Sequence, residues 1–188
     1  MTAADSRERG QILPLFAVLL VMLLLPVAAL AVDGGLILSR HAELVGEAQA
    51  AAEAGSQAVD QTALSRSGTF QLCAAADGGP ECGNGVGNVL EVVNEVVSSS
   101  GAAGVTHCSQ VPAIPARVPG ASGCDLVVLS PCGAGGPPLG VEVTIWAPAR
   151  LPLAGVGPLG SISLRGEATS WLAHGIGATA MPPVLPRC

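Results

Sequence analysis

From Gln11 to Val32 the chain reads QILPLFAVLLVMLLLPVAALAV, with no charged residue and Gln11 as its only strongly polar one. An α-helix crosses the hydrocarbon core of a bilayer in about 20 apolar residues, and Ile12 to Val32 meets that length. The apolar positions of this predicted anchor include Ile12, Leu13, Leu15, Phe16, Leu19 and Leu20. They continue through Leu23, Leu24, Leu25, Leu30 and Val32. Pro14 lies near the start, where a helix tolerates proline. Pro26 lies deeper, removes a backbone hydrogen bond and predicts a kink.

Behind this run the pattern changes without a clear stop. Leu36 to Leu64 contains no proline and is rich in Ala, Leu, Glu and Gln, all good helix formers. Arg40, Glu43 and Glu47 fall on one helical face, and Ile37, Leu44, Ala48 and Ala51 form a second stripe beside it. Adjacent stripes make the helix only weakly amphipathic. A helix continuous from Gln11 to Leu64 would run ~54 residues, or ~80 Å at 1.5 Å per residue. Asp33-Gly34-Gly35 is the place where it would break.

Ser65 to Gly87 is Gly-rich and reads as a loop. Within it, Thr69 to Cys73 reads as a short extended piece, and Cys73 and Cys82 are placed to close a local disulfide. Val89, Leu90, Val93, Val96 and Val97 share one side of a helix predicted over 86–100, which Gly101 would end. Thereafter the pattern is β. Asp125 to Ser130 is a buried-strand run. In Gly140 to Trp146, Val141, Val143 and Ile145 alternate with Glu142, Thr144 and Trp146. Ser161 to Leu172 alternates in part. A Pro/Gly-rich connection precedes it, and the tail from His174 to Cys188 reads as irregular.

Charge and cysteine placement orient the chain. Arg7 and Arg9 precede the apolar run, and no basic residue recurs until Arg40. That bias favours a cytoplasmic N-terminus. All six Cys follow the run: Cys73, Cys82, Cys108, Cys124, Cys132 and Cys188. An even count on one side of a membrane segment reads as a disulfide framework in an oxidising compartment, with 15 possible pairings. The same N-terminus also fits a cleavable signal peptide. Ala29-Leu30-Ala31 supplies an A-x-A pattern, which would release a secreted binding module after Ala31. The proline-free continuation beyond Leu36 favours the anchor.

Composition narrows the chemistry. Net charge is −6, every basic residue is Arg, and there are two Trp, two Phe and no Tyr. A nucleic-acid footprint needs clustered basic residues and stacking aromatics, so no nucleic-acid partner is expected. No catalytic or nucleotide-binding motif of the common kinds occurs. His41, His107 and His174 are read as solvated or loop positions, and Cys lack C-x-x-C spacing for zinc. Gly83 to Gly87 lacks the Lys and preceding strand of a phosphate loop and reads as a turn. No enzyme activity, metal or cofactor is expected.

Two segments carry a family likeness. Arg9-Gly10-Gln11 precedes the apolar run, Asp33-Gly34-Gly35 follows it, and Arg40 leads an Ala-rich helix ending near Ala58. This stretch resembles the N-terminal domain of TadE/TadG-like proteins of the Tad (Flp) pilus-assembly system. VEVTIWAPARLPLAGVGPLGSISLRGEAT is similar to the strand, loop and strand near the C-terminus of TadE-type pseudopilins. Prepilin-like substrates carry a Gly cleavage site and a Glu five residues into the mature chain. Gly10 matches the first, and Leu15 stands at the second position.

The resemblance implies a single-pass protein of a bacterial cell membrane, with its C-terminal domain outside. Partners would be the membrane and other pilus or secretion-system subunits, contacted through the N-terminal helix. The expected organisation is a cytoplasmic stretch 1–10, a transmembrane helix 11–32, an Ala-rich helix 33–64 and an extracytoplasmic α+β domain 65–188. That domain is expected to be pilin-like and disulfide-stapled, with a short antiparallel sheet.

Overall fold

The computed structural model describes residues 12–74, 82, 87–101, 104–113, 122–130, 136–151 and 161–172. Gly10, Gln11, Cys132, His174, Cys188 and the tail lie outside them, as do most of the loop before Gly87 and the connection at 152–160. The chain divides into two compact units, Met1–Ser39 with Arg150–Ser161, and Arg40–Ala149 with Ile162–Cys188.

Helix α1 runs without interruption from Ile12–Ser56, 45 residues, or ~67 Å. It passes through Pro26 and through Asp33-Gly34-Gly35. A helical Gly costs about 1 kcal/mol relative to Ala, and good helix formers on both sides of the pair outweigh that. The end comes earlier than Leu64. Gln57 and Ala58 N–H donate to the carbonyls of Ala54 and Gly55, which tightens the last turn. Val59 then forms an antiparallel bridge with Leu72. Asp60 starts a separate helix, α2 (Gln61–Ser67), by accepting the Ala63 N–H at 2.9 Å. An Asp side chain that caps a new helix competes with continuation of the old one.

Helix α3 (Val89–Ser100) begins in a capping box between Asn88 and Glu91 and ends at Gly101 in the left-handed conformation. Its buried residues are Val89, Val92, Val93 and Val97. Strands β1 (Ser109–Gln110), β2 (Gly123–Leu129), β3 (Gly140–Arg150) and β4 (Ser161–Trp171) form one sheet in that order. The sheet is mixed, not purely antiparallel as expected. β2 and β3 are antiparallel, but β1 is parallel to β2. Parallel neighbours require a crossover of about a dozen residues, and 111–122 supplies the length. The β1 pairing covers only Ser109 and Gln110, too short to show as a sequence alternation.

The core belongs to the second unit. Register pairs Cys124 with Ile145, Leu126 with Val143 and Val128 with Val141 on one sheet face. Against these lie Leu44, Ala48, Ala51 and Ala52 of α1 and the valines of α3, in one buried cluster. Small residues set the spacing. A Cβ at Gly166 would stand 2.5 Å from the Leu44 carbonyl atoms, so β4 lies directly on the backbone of α1. A Cβ at Gly55 would stand 2.8 Å from Val93 Cγ2.

Three expectations about individual side chains change here. Glu47 does not stay with Arg40 and Glu43 on a charged face; it is buried, and its Oε1 meets the Ser100 hydroxyl. Its Oε2 has no hydrogen-bond partner among the described residues. Thr144 and Trp146 are buried although they alternate with the core-facing residues, so both faces of β3 are covered. The Trp146 ring lies over Gly123, where any Cβ would collide with it. The disulfide Cys73–Cys82 closes the local loop as the spacing suggests, and Cys108–Cys124 ties the approach to β1 to the start of β2.

Candidate membrane anchor

The first unit holds the apolar part of α1. From Leu15 to Leu38 the large apolar side chains of α1 are exposed, including Phe16, Leu19, Leu23, Leu25, Leu30 and Val32. A globular helix hides one face and shows polar residues on the other. This segment shows large apolar side chains on most of its surface. Helix α1 is long and apolar enough to cross a membrane.

The sequence motif residues on α1 fall into distinct environments. Asp33 is buried, Gly34 is half-buried and Gly35 is exposed. A Cβ at either glycine would meet nothing within 4 Å. Arg40 pairs with Glu43 at 2.6 Å, one helical turn onward. Asp33 and Arg40 are separated by ~10 Å along the axis. His41 is exposed beside Arg40. His107 is also exposed, while the adjacent Cys108 N–H donates to Asn94 Oδ1 at 2.6 Å. Among the described residues, no three His, Cys, Asp or Glu gather as metal ligands do.

One cluster escaped the sequence reading. Glu142 on β3 lies with Glu167 and Arg165 of β4, and Arg165 pairs with Glu167 at 2.8 Å. Burial raises the Glu142 carboxyl above its ordinary value, and the hydrogen bond and negative charge of Glu167 raise it further; Arg165 opposes them. Only strand pairing brings these carboxyls together, and nothing in the spacing announces it. Asp60 shifts the other way. The Ala63 N–H it accepts lowers its carboxyl, with a smaller lowering from the Gln71 amide at 3.1 Å and a smaller opposing effect of burial. Both groups serve local structure: one caps α2, the other sits within a two-strand charge cluster.

Comparison of the chain with protein-family models, with curated proteins and with solved structures finds no match in any of the three.

Proposed function

We propose that this chain is a single-pass membrane protein that works by assembly contacts, as a minor pseudopilin or assembly component of a Tad/Flp-type system. One observation carries the anchor part of this reading. The helix that exposes apolar side chains over Leu15 to Leu38 continues unbroken into Leu44, Ala48 and Ala51, which are core residues of the second unit. A leader peptide has no reason to share a helix with the core of the domain it delivers. The Tad/Flp assignment rests on the resemblance of Arg9-Gly10-Gln11, Asp33-Gly34-Gly35 and Arg40 to the family pattern. Association would come from packing of the exposed apolar surface of α1, Leu15 to Leu38, with neighbouring helices in the membrane, since Ala48, Ala51 and Ala52 are already taken up by the core of the second unit. The disulfide-stapled α+β domain would make specific contacts outside it. No step in this role breaks a bond.

The test is the N-terminal residue and intact mass of the protein recovered from its own cell envelope. A start at Met1 or Thr2 supports an uncleaved anchor. A start at Gln11 supports prepilin-type processing with Leu15 in place of the usual Glu. A start at Val32 refutes the anchor and leaves a secreted binding module.

A further inference from the structure

Hydropathy alone ends the apolar run at Val32, because Asp33 is charged. The structure gives that boundary a different meaning. Beyond Asp33, Leu36 is 48% exposed and Leu38 is 70% exposed, as much as residues well inside the run. Asp33 itself is only 5% exposed. The covered positions Ala29, Asp33 and Ile37 recur at i, i+4 and i+8, so they share one face of α1. The charge therefore does not interrupt the outward surface of the helix, which stays apolar until Ser39 and Arg40.

Length decides whether a bilayer can take the longer run. Ile12 to Leu38 rises ~39 Å, against a hydrocarbon core of ~30 Å. A tilt of ~40° reconciles the two, at the upper end of the observed range for membrane helices. With the boundary at Val32, Leu36 and Leu38 would stay in water or among headgroups; moving it outward buries both, against the cost of carrying a carboxyl below the headgroups, which the burial of Asp33 within its own chain lessens. Arg40 and His41 follow at once, and the Arg40–Glu43 ion pair suits the polar boundary.

We infer that the outer edge of the hydrocarbon layer meets α1 at Ser39–Arg40, about seven residues or ~10 Å beyond Val32. Lipid acyl chains are then the partner of Leu36 and Leu38, and Asp33 is carried inside the apolar layer on the face turned away from lipid. This inference rests on the anchor proposed above.

The experiment places single cysteines in the full chain, reconstituted in phospholipid vesicles: Leu19→Cys, Leu36→Cys, Leu38→Cys and Ala42→Cys. Each is treated with a membrane-impermeant maleimide and compared with the unsubstituted chain and with the same variant in denaturant-containing detergent. All four positions are exposed on α1, so each should label once the chain is unfolded in denaturant-containing detergent, the control for intrinsic reactivity. In vesicles, labelling should persist at Ala42 and be lost at Leu19, Leu36 and Leu38. Labelling at Leu36 and Leu38 with protection at Leu19 overturns the extended boundary and leaves the anchor standing. Labelling at Leu19 as well overturns the anchor and this inference together.

Discussion

Replacing Gly166 by alanine adds one methyl group to β4 where that strand lies on α1. The new Cβ would stand 2.5 Å from both the carbonyl carbon and oxygen of Leu44 and 2.7 Å from the Val45 nitrogen. Comfortable heavy-atom contact needs about 3.5–4.0 Å, so the gap is short by ~1 Å. The opposing atoms are helix backbone and cannot rotate away, so β4 must lift off. That loosens Leu164 and Ala168, which pack against the same core. Overpacking of this kind costs about 1–3 kcal/mol, and a backbone-to-backbone clash belongs at the upper end. Two other glycines provide the scale. A Cβ at Gly55 meets the Val93 side chain at 2.8 Å, which can give, and the helix gains about 1 kcal/mol in propensity. A Cβ at Gly46 meets nothing within 4 Å, so Gly46→Ala should stabilise by up to about 1 kcal/mol. Thermal unfolding of the full chain in detergent, followed by tryptophan fluorescence, reads the second unit through Trp146 and Trp171. Gly46→Ala should melt above the parent chain, Gly55→Ala at or below it, and Gly166→Ala lowest. At ~4 °C per kcal/mol, the Gly166→Ala shift should approach ~10 °C. A Gly166→Ala midpoint at or above the parent's would refute the direct contact of β4 with α1.

Removing Cys108–Cys124 by double serine substitution frees a separation of 16 residues, for an expected loss of about 3 kcal/mol in the chain-entropy model. Removing Cys73–Cys82, separation 9, should cost slightly less, about 2.6 kcal/mol; denaturant midpoints of the two variants should fall in that order. Glu142 and Asp60 should bend the pH–stability curve in opposite directions. The Glu142 carboxyl is raised by burial above 4.5, so its contribution is full below that pH and is lost as pH rises through the raised value. Glu142→Gln should therefore flatten the decline on that side. Asp60 is lowered from 3.8 by its Ala63 hydrogen bond; its contribution is present above 3.8 and lost as pH falls through the lowered value. Asp60→Asn should remove part of the acid-side loss, read as urea midpoints across the pH range.

Local chemistry written in the sequence accounts for much of this protein. The apolar run after Gln11 and the helix formers behind it specify α1, because propensity and hydropathy act over neighbouring residues. Valine spacing and Gly101 specify α3, and the alternation of Val141, Val143 and Ile145 specifies the core face of β3. The closeness of Cys73 and Cys82 along the chain suggests their bridge. What the tertiary structure decided lies in contacts between distant segments. The end of α1 at Ser56 depends on the Val59–Leu72 bridge and the Asp60 cap, not on any helix breaker in the run to Leu64. The parallel pairing of β1, the burial of Glu47 against Ser100, and the meeting of Glu142 with Glu167 all join residues that no local period relates. The candidate site divides the same way. Hydropathy locates a helix apolar enough to cross a membrane, but only the three-dimensional exposure of Leu36 and Leu38, with Asp33 buried, shows that its exposed apolar surface runs past the charge at Asp33. Hydropathy weighs a residue by its type alone, whereas the folded helix determines which side chains meet the surroundings.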